Sequence, residues 1–155
     1  MTNDDYQLLK IFFDRHFEWY TPKYPTTPPG LPSQFLEKIE KASLANAKQG
    51  LQQAISDIAE ESANWRAEQV AEADTKFAAA GTFTLTEVRR RYSKKYLQLL
   101  KRGAIRKETE YYLLKGILDG GGIKPGATES EQIQTMLLAF EAEVMKRLPQ
   151  WLLNS

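Results

Sequence analysis

Apolar residues recur at helical spacing along almost the whole chain, and no stretch shows the alternation of apolar and polar residues that marks a strand. The clearest case is a heptad repeat, in which an apolar side chain returns every seventh residue. Its members are Leu44, Leu51, Ile58 and Trp65. Because a helix with such a stripe is stable only when the stripe is buried, other helices must cover it. The sequence therefore predicts an all-α protein, a bundle of five or six helices.

The heptad repeat can be buried in two ways. Within one chain, it fits the face of a long bundle helix that packs against its neighbours. Between two chains, the same four residues, Leu44, Leu51, Ile58 and Trp65, could pair two copies as a homodimer. We favour packing within the chain and keep the homodimer as the alternative.

The N-terminal half is predicted to contain two helices joined by a stiff connector. The first helix begins at Asn3, whose side chain can accept a hydrogen bond from a free N-terminal amide, and it ends near Tyr20. Residues 21–33 contain five of the seven prolines, which fix φ and lack an amide donor, so they predict a Pro-rich strap. Ser33 is then predicted to cap a long helical region that runs without proline to Ala80. We expect the longest helix to act as the spine of the bundle.

A capping box marks the start of the next helix. Thr84 and Glu87 have the spacing at which each side chain binds the other's backbone amide. The pattern predicts a helix over 85–102 that stops at Gly103, followed by another helix over 106–118.

The last part of the chain is predicted to be a loop and one more helix. The segment 119–127 is rich in glycine and predicts a flexible loop. Thr128 and Glu131 have capping-box spacing and are expected to open a final helix, which Pro149 ends. Residues 1–155 together fit a single helical domain.

Positive charge is concentrated between residues 89 and 115, although the chain as a whole has a formal net charge of only +1. That window holds ten Lys or Arg and two Glu, a net charge of +8, whereas the residues before and after it are net acidic. On the basic helix 85–102, Arg90, Lys94 and Lys101 are expected on the face opposite the apolar side. The candidate partner-binding residues are Arg90, Arg91, Lys94, Lys95, Lys101 and Arg102.

A patch of one sign attracts a partner of the opposite sign, and three such partners are compatible with this one. An acidic protein surface is the first, and the phosphate backbone of a nucleic acid is the second. The third is internal, because segment 57–74 holds six acids against a single Arg, a net charge of −5. The sequence leaves an external partner and internal neutralisation open.

The residue types restrict what chemistry the chain can perform. Cysteine is absent, which excludes disulfides, thiolate nucleophiles and Cys-based metal sites. His16 is the only histidine, and its aromatic neighbours indicate a place at the edge of the core. No Glu-x-x-His pair exists for a di-metal site, and the glycines 120–122 follow a helix rather than the strand that a phosphate-binding loop requires. We therefore expect no catalytic residue, no metal and no cofactor.

The location is predicted from what the chain lacks. Residues 1–5 are acidic where an export signal would be basic and then apolar. No apolar run approaches the roughly 18 residues that cross a membrane. We expect a cytoplasmic protein without membrane contact.

Residues 99–115 read LLKRGAIRKETEYYLLK, and Glu131, Phe140 and Glu141 follow further along the chain. This pattern resembles one found in small helical bacterial proteins of unassigned function, some of them immunity-like. The resemblance covers residues 99–141, and its motif is structural rather than catalytic. It implies a bacterial origin and a non-enzymatic role.

These observations favour a protein-interaction module, such as an immunity protein or a regulatory partner, with the basic helix as its contact surface. The alternative is nucleic-acid binding, in which the helix 85–102 contacts the phosphate backbone. A small enzyme without a recognisable motif is the third hypothesis.

Overall fold

Helices form all the regular secondary structure in the part of the chain that the computed structural model describes, which is residues 1–120, 123 and 126–153. The all-α class is thereby confirmed. These described residues form eight α-helices of at least eight residues and a one-turn helix after them, where the sequence predicted five or six. None of the described helices is long and apolar enough to cross a membrane. The helices are α1 (Asn3–Tyr20), α2 (Pro32–Ala42), α3 (Leu44–Glu61), α4 (Ala67–Ala79), α5 (Leu85–Tyr92), α6 (Lys94–Arg102), α7 (Glu108–Asp119), α8 (Thr128–Arg147) and α9 (Gln150–Leu153).

The long helical region predicted from Ser33 to Ala80 consists of three α-helices, because serines interrupt it twice, and it provides no single spine helix. Ser43 is extended, with φ −162° and ψ 113°, and its Oγ accepts a hydrogen bond from the Asn46 amide at 3.2 Å. Further on, Ser62 donates its hydroxyl to the Ala59 carbonyl at 3.1 Å as α3 gives way to a 3-10 turn. A serine hydroxyl competes with the helix for backbone groups, so each serine ends one helix or begins the next.

The helix predicted over 85–102 is also divided by a serine. Its capping box is confirmed, since the Glu87 amide donates to Thr84 Oγ1 at 3.1 Å. At Ser93, however, the backbone turns to ψ 116° and the hydroxyl oxygen accepts the Tyr96 amide at 3.1 Å. The basic segment is therefore two short helices, α5 and α6.

Three predicted N-caps were wrong. Leu31, not Ser33, precedes α2, because Pro32 is already its first residue. α1 is capped by Thr2 rather than Asn3, because Thr2 Oγ1 accepts the Asp5 amide at 3.0 Å. α8 begins at Thr128 itself, and Ala127 before it offers no side-chain acceptor. The second capping box was therefore wrong.

The strap and the turn at Gly103 lie close to where the sequence placed them. The Pro-rich strap of 21–33 ends early, because Pro32 already belongs to α2. α6 stops at Gly103, which takes the left-handed φ of +76° that glycine tolerates. Of the predicted loop 119–127, Asp119 belongs to α7, and residues 121, 122, 124 and 125 lie outside the described residues.

Two groups of buried apolar side chains form the interior. The first group lies mainly on α1 to α5, and the second on α6 to α8 with the turn before α8. The break at Ser93 falls between them. Fully buried members of the first group include Tyr6, Leu9, Phe12, Leu51, Ile55, Phe77 and Val88. Fully buried members of the second group include Tyr96, Leu114, Ile117 and Ile133.

The heptad residues are covered by the chain's own helices. Leu51 and Ile58 are buried in the first group, and Trp65 packs edge-on against Tyr20 with ring centroids 5.1 Å apart. Leu44 is 46% exposed and contributes little. A homodimer through the heptad residues would have to expose Leu51 and Ile58 by opening the core. Packing within the chain therefore explains the heptad repeat.

Carboxylates on one helix bind the N-terminal amides of a later helix. Asp14 of α1 accepts hydrogen bonds from the Ser33 amide at 2.9 Å and from its hydroxyl at 2.6 Å, at the start of α2. Asp74 of α4 does the same for Thr86 at the start of α5, where the amide is 2.9 Å away. In both cases the bonded amide is that of the second helical residue, one of the four that a helix leaves without an internal partner.

A third such contact joins α3 to α6. Glu60 accepts from the Lys95 amide at 3.2 Å and from the Ser93 hydroxyl at 3.3 Å. Lys95 is again the second residue of its helix. The three contacts fix where α2, α5 and α6 begin relative to the helices beneath them.

Truncation of Leu51 tests the internal packing of the heptad. Leu51→Ala removes buried methyl groups and leaves a cavity, so we expect the free energy of unfolding to fall by about 2–4 kcal/mol. Leu44→Ala is the matched control and should change it by less than about 0.5 kcal/mol, because Leu44 is largely exposed. Urea denaturation followed by circular dichroism measures both. Equal losses would contradict the assignment.

Removal of the Asp74 carboxylate tests the contacts between helices. Asp74→Ala leaves the Thr86 amide and hydroxyl without their acceptor, and we expect a loss of about 1–3 kcal/mol. Glu72→Ala, an exposed carboxylate on the same helix, is the control and should have little effect. Thermal denaturation of the two variants decides between a structural cap and an ordinary surface charge.

Candidate functional site

The first cation of the basic window, Arg89, lies inside the protein. Its guanidinium donates a hydrogen bond to the Ser62 carbonyl. Burial lowers the pKa of Arg89, and the nearby Asp74 carboxylate offsets part of that effect. Its Nε has no hydrogen-bond partner within the described residues. Arg89 therefore joins α5 to the end of α3 and is not available to an external partner.

Arg90 is engaged by α8. Its Nη2 lies 2.9 Å from Glu129 Oε2, and the Tyr96 hydroxyl donates to the other oxygen of the same carboxylate at 2.5 Å. Desolvation opposes the ionisation of Glu129, but the hydrogen bonds from Arg90 and Tyr96 outweigh it and hold the pKa of Glu129 below its usual value. Arg90, which the sequence predicted to contact a partner, is thus paired with Glu129 in a partly buried ion pair.

Arg91 and Lys95 have looser partners. Arg91 Nη1 is 3.8 Å from Asp5 Oδ1, and its guanidinium lies 4.8 Å from the centre of the Phe83 ring. Lys95 is mostly exposed, with Nζ 3.9 Å from Glu60 Oε2. Such exposed pairs contribute under about 1 kcal/mol each.

Arg102 is held at the turn between α6 and α7. Its Nη2 lies 2.6 Å from Glu110 Oε1, and its Nε donates to the Ala104 carbonyl at 2.9 Å. The same Glu110 oxygen accepts the Arg106 and Lys107 amides at 2.8 and 3.1 Å. Desolvation disfavours the charged form of Glu110, but the bonds from the Arg106 amide and Arg102 prevail and lower its pKa.

Four of the six candidate residues therefore have a carboxylate partner within the protein. They are Arg90, Arg91, Lys95 and Arg102. The carboxylates come from α1, α3, α7 and α8, and only Glu60 belongs to the acidic segment 57–74. The ion pairs of these four residues are therefore spread over four helices and do not come from the acidic segment alone.

Two candidates remain without such a partner, Lys94 and Lys101. Both are exposed, and in the part of the chain that the structure describes neither ammonium group has a carboxylate within salt-bridge distance. They lie two helical turns apart on one side of α6, with Gln98 and Leu97 between them, and Leu97 is 49% exposed. We call these four residues the basic α6 surface.

A second surface, the apolar groove, lies between α1, α2 and the strap that joins them. It has a volume of about 330 Å³ and almost no polar lining. The sequence analysis did not predict this groove. A signal for it was present, because apolar residues lie four apart on both sides of the prolines, at 13 and 17 and at 35 and 39. Its main lining residues are Phe13, Phe17, Pro28, Pro32, Phe35 and Ile39.

The single histidine lies among aromatic rings. His16 is partly buried, with its ring centroid 6.3 Å from that of Phe12 and 5.5 Å from that of Tyr20. Burial lowers the pKa of His16 to about 4. Among the described residues, no group of three His, Cys, Asp or Glu side chains could hold a metal ion.

The lowered pKa of His16 makes stability depend on pH. Between about pH 6.5 and 4 the unfolded chain binds a proton at this residue and the folded chain does not, so stability falls as the pH decreases through that window. We expect an NMR titration of the imidazole to give a pKa of about 4. His16→Gln should reduce the difference in urea midpoint between pH 7 and pH 5. A titration midpoint near the ordinary value of about 6.5 would contradict the burial of this ring.

Comparison of this chain with models of known protein families, with curated proteins and with solved structures found no match. The resemblance of residues 99–141 to immunity-like proteins therefore stays a prediction.

Proposed function

We propose that this protein is a non-enzymatic protein-interaction module that binds an acidic segment of a partner through the basic α6 surface. The observation that carries the proposal is that, among the described residues, Lys94 and Lys101 have no carboxylate within salt-bridge distance, whereas the other two cations of α6, Lys95 and Arg102, have one. Leu97, half exposed between them, supplies an apolar contact. An apolar centre with a charged rim is the usual composition of a protein-binding patch.

The other four candidates have a supporting role in this proposal. Arg90 and Arg102 join α5 and α6 to α8 and α7 through close ion pairs and so help to orient the surface, while Arg91 and Lys95 have looser carboxylate partners. An immunity protein or a regulatory partner would use a surface of this kind. A cytoplasmic location and a bacterial origin belong to the same proposal and rest on the sequence alone. A homodimer through the heptad is not part of it.

Nucleic-acid binding is the alternative and requires more free cations. A protein that binds the phosphate backbone releases counterions at each contact, and its affinity falls steeply with salt. Within the part of the chain that the structure describes, α6 keeps two lysines without a carboxylate in salt-bridge distance, which favours a short acidic peptide over a long phosphate backbone.

Charge reversal of the two lysines tests the proposal. The probes are a fluorescent peptide with Glu on one helical face and Leu on the other, and a short duplex DNA, both followed by anisotropy over a range of salt. Lys94→Glu with Lys101→Glu should weaken peptide binding by about tenfold, the equivalent of about 1.4 kcal/mol. Leu97→Ser should weaken it further, because the apolar contact is lost.

The control is Lys41→Glu with Lys146→Glu, which makes the same change of net charge elsewhere on the surface. It should leave peptide affinity nearly unchanged. Equal effects of the two double variants would contradict a localised site. Tighter binding of DNA than of peptide, with a steep salt dependence that Lys94→Glu and Lys101→Glu remove, would establish the alternative instead.

A further inference from the structure

The apolar groove exposes side chains that most helical proteins bury. Phe35 and Ile39, one turn apart on α2, are 48% and 42% exposed. Phe13 and Phe17, one turn apart on α1, line the same groove. Contiguous exposed apolar surface of this kind marks a place where a ligand or partner binds.

The groove is shaped before any ligand arrives. Asp14 of α1 accepts both the amide and the hydroxyl of Ser33 and so fixes the start of α2 beside the groove. Gln34 accepts the Leu31 amide at 2.9 Å, and Gly30 takes a φ of +109° that brings the strap back toward α2. A side chain at residue 30 would collide with the Gln34 amide oxygen. Binding to such a preformed site costs little conformational entropy.

Two lysines give the groove a positive rim. The Lys23 ammonium lies 5.7 Å from the centre of the Phe17 ring, and that of Lys38 lies 5.6 Å from the centre of the Phe35 ring. Within the described residues neither lysine has a carboxylate within salt-bridge distance. Glu18, which lines a second pocket beside the strap together with Lys23, pairs with Arg15 on its own helix at 3.1 Å.

The size and lining of the groove restrict its occupant. An α-helix about 10–12 Å across would lie on top of a groove of about 330 Å³ and leave its depth unfilled, and an extended peptide would find almost no polar partners for its backbone. A methylene group takes up roughly the volume of a water molecule, about 30 Å³. The groove therefore has room for an alkyl chain of about ten carbons.

We propose that the apolar groove binds an amphiphilic anion, an unbranched alkyl carboxylate whose chain lies between Phe13, Phe17 and Phe35 and whose head lies near Lys23 and Lys38. The hydrocarbon supplies most of the affinity, and the lysines select a negative head group over a neutral or positive one. The groove shares no residue with the basic α6 surface, so this inference and the proposed function can fail separately.

Three probes with the same chain test the charge selectivity, namely decanoate, decanol and decyltrimethylammonium, each below its micelle-forming concentration. Isothermal titration calorimetry should give decanoate an affinity about fivefold above that of decanol and above that of the cation. Lys23→Gln with Lys38→Gln should reduce decanoate binding to the level of decanol and leave decanol unchanged. Equal binding of all three probes by the unmodified protein would overturn the proposal.

A second pair of variants locates the binding. Phe35→Ala should weaken both decanoate and decanol by about tenfold or more, because part of the apolar lining is lost while the exposed ring leaves the core intact. Trp151→Ala removes an exposed aromatic ring elsewhere and should change neither affinity. If Trp151→Ala weakened binding and Phe35→Ala did not, the chain would be bound outside the groove and the proposal would be wrong.

Discussion

Hydrogen bonds from the first amides of short helices to carboxylates on other helices hold this fold together. A chain divided into so many helices has many ends, and each N-terminus leaves amides that need an acceptor. Asp14, Glu60 and Asp74 supply it for α2, α6 and α5, and each also accepts a Ser or Thr hydroxyl there. A carboxylate at the positive end of a helix dipole is favourable in itself. The same bond therefore satisfies the helix end and fixes its position on the helix below.

The contact between Ser93 and Glu60 determines the directions in which the cations of α5 and α6 point. Because Ser93 binds Glu60 and turns the backbone, α5 and α6 point their cations in different directions instead of along one face. Arg90 meets Glu129 on α8, and Arg102 meets Glu110 on α7. Of the six candidate residues, Lys94 and Lys101 on α6 are thus the two that have no carboxylate within salt-bridge distance among the described residues.

The two surfaces that are left differ in chemistry. The basic α6 surface consists of two lysines with Gln98 and one exposed leucine between them, and it suits a polar partner that approaches from solvent. In the groove, apolar rings dominate and Lys23 and Lys38 lie over two of them, which suits a ligand with a long apolar part. In both places a lysine has no carboxylate within salt-bridge distance among the described residues, whereas Arg90, Arg91, Lys95 and Arg102 each have one.

Local chemistry in the sequence was sufficient for the helical class, the capping box at Thr84, the stop at Gly103 and the stiff strap, because neighbouring residues decide each of these. It was not sufficient for the breaks at Ser43 and Ser93, since a serine within a helical pattern either stays in the helix or caps a new one, according to the acceptors that the rest of the fold provides. The helical period placed Arg90 with Lys94 and Lys101 on one face, and only the tertiary structure separated them. Periodicity describes one helix at a time, whereas an ion pair joins residues as far apart as Arg90 and Glu129.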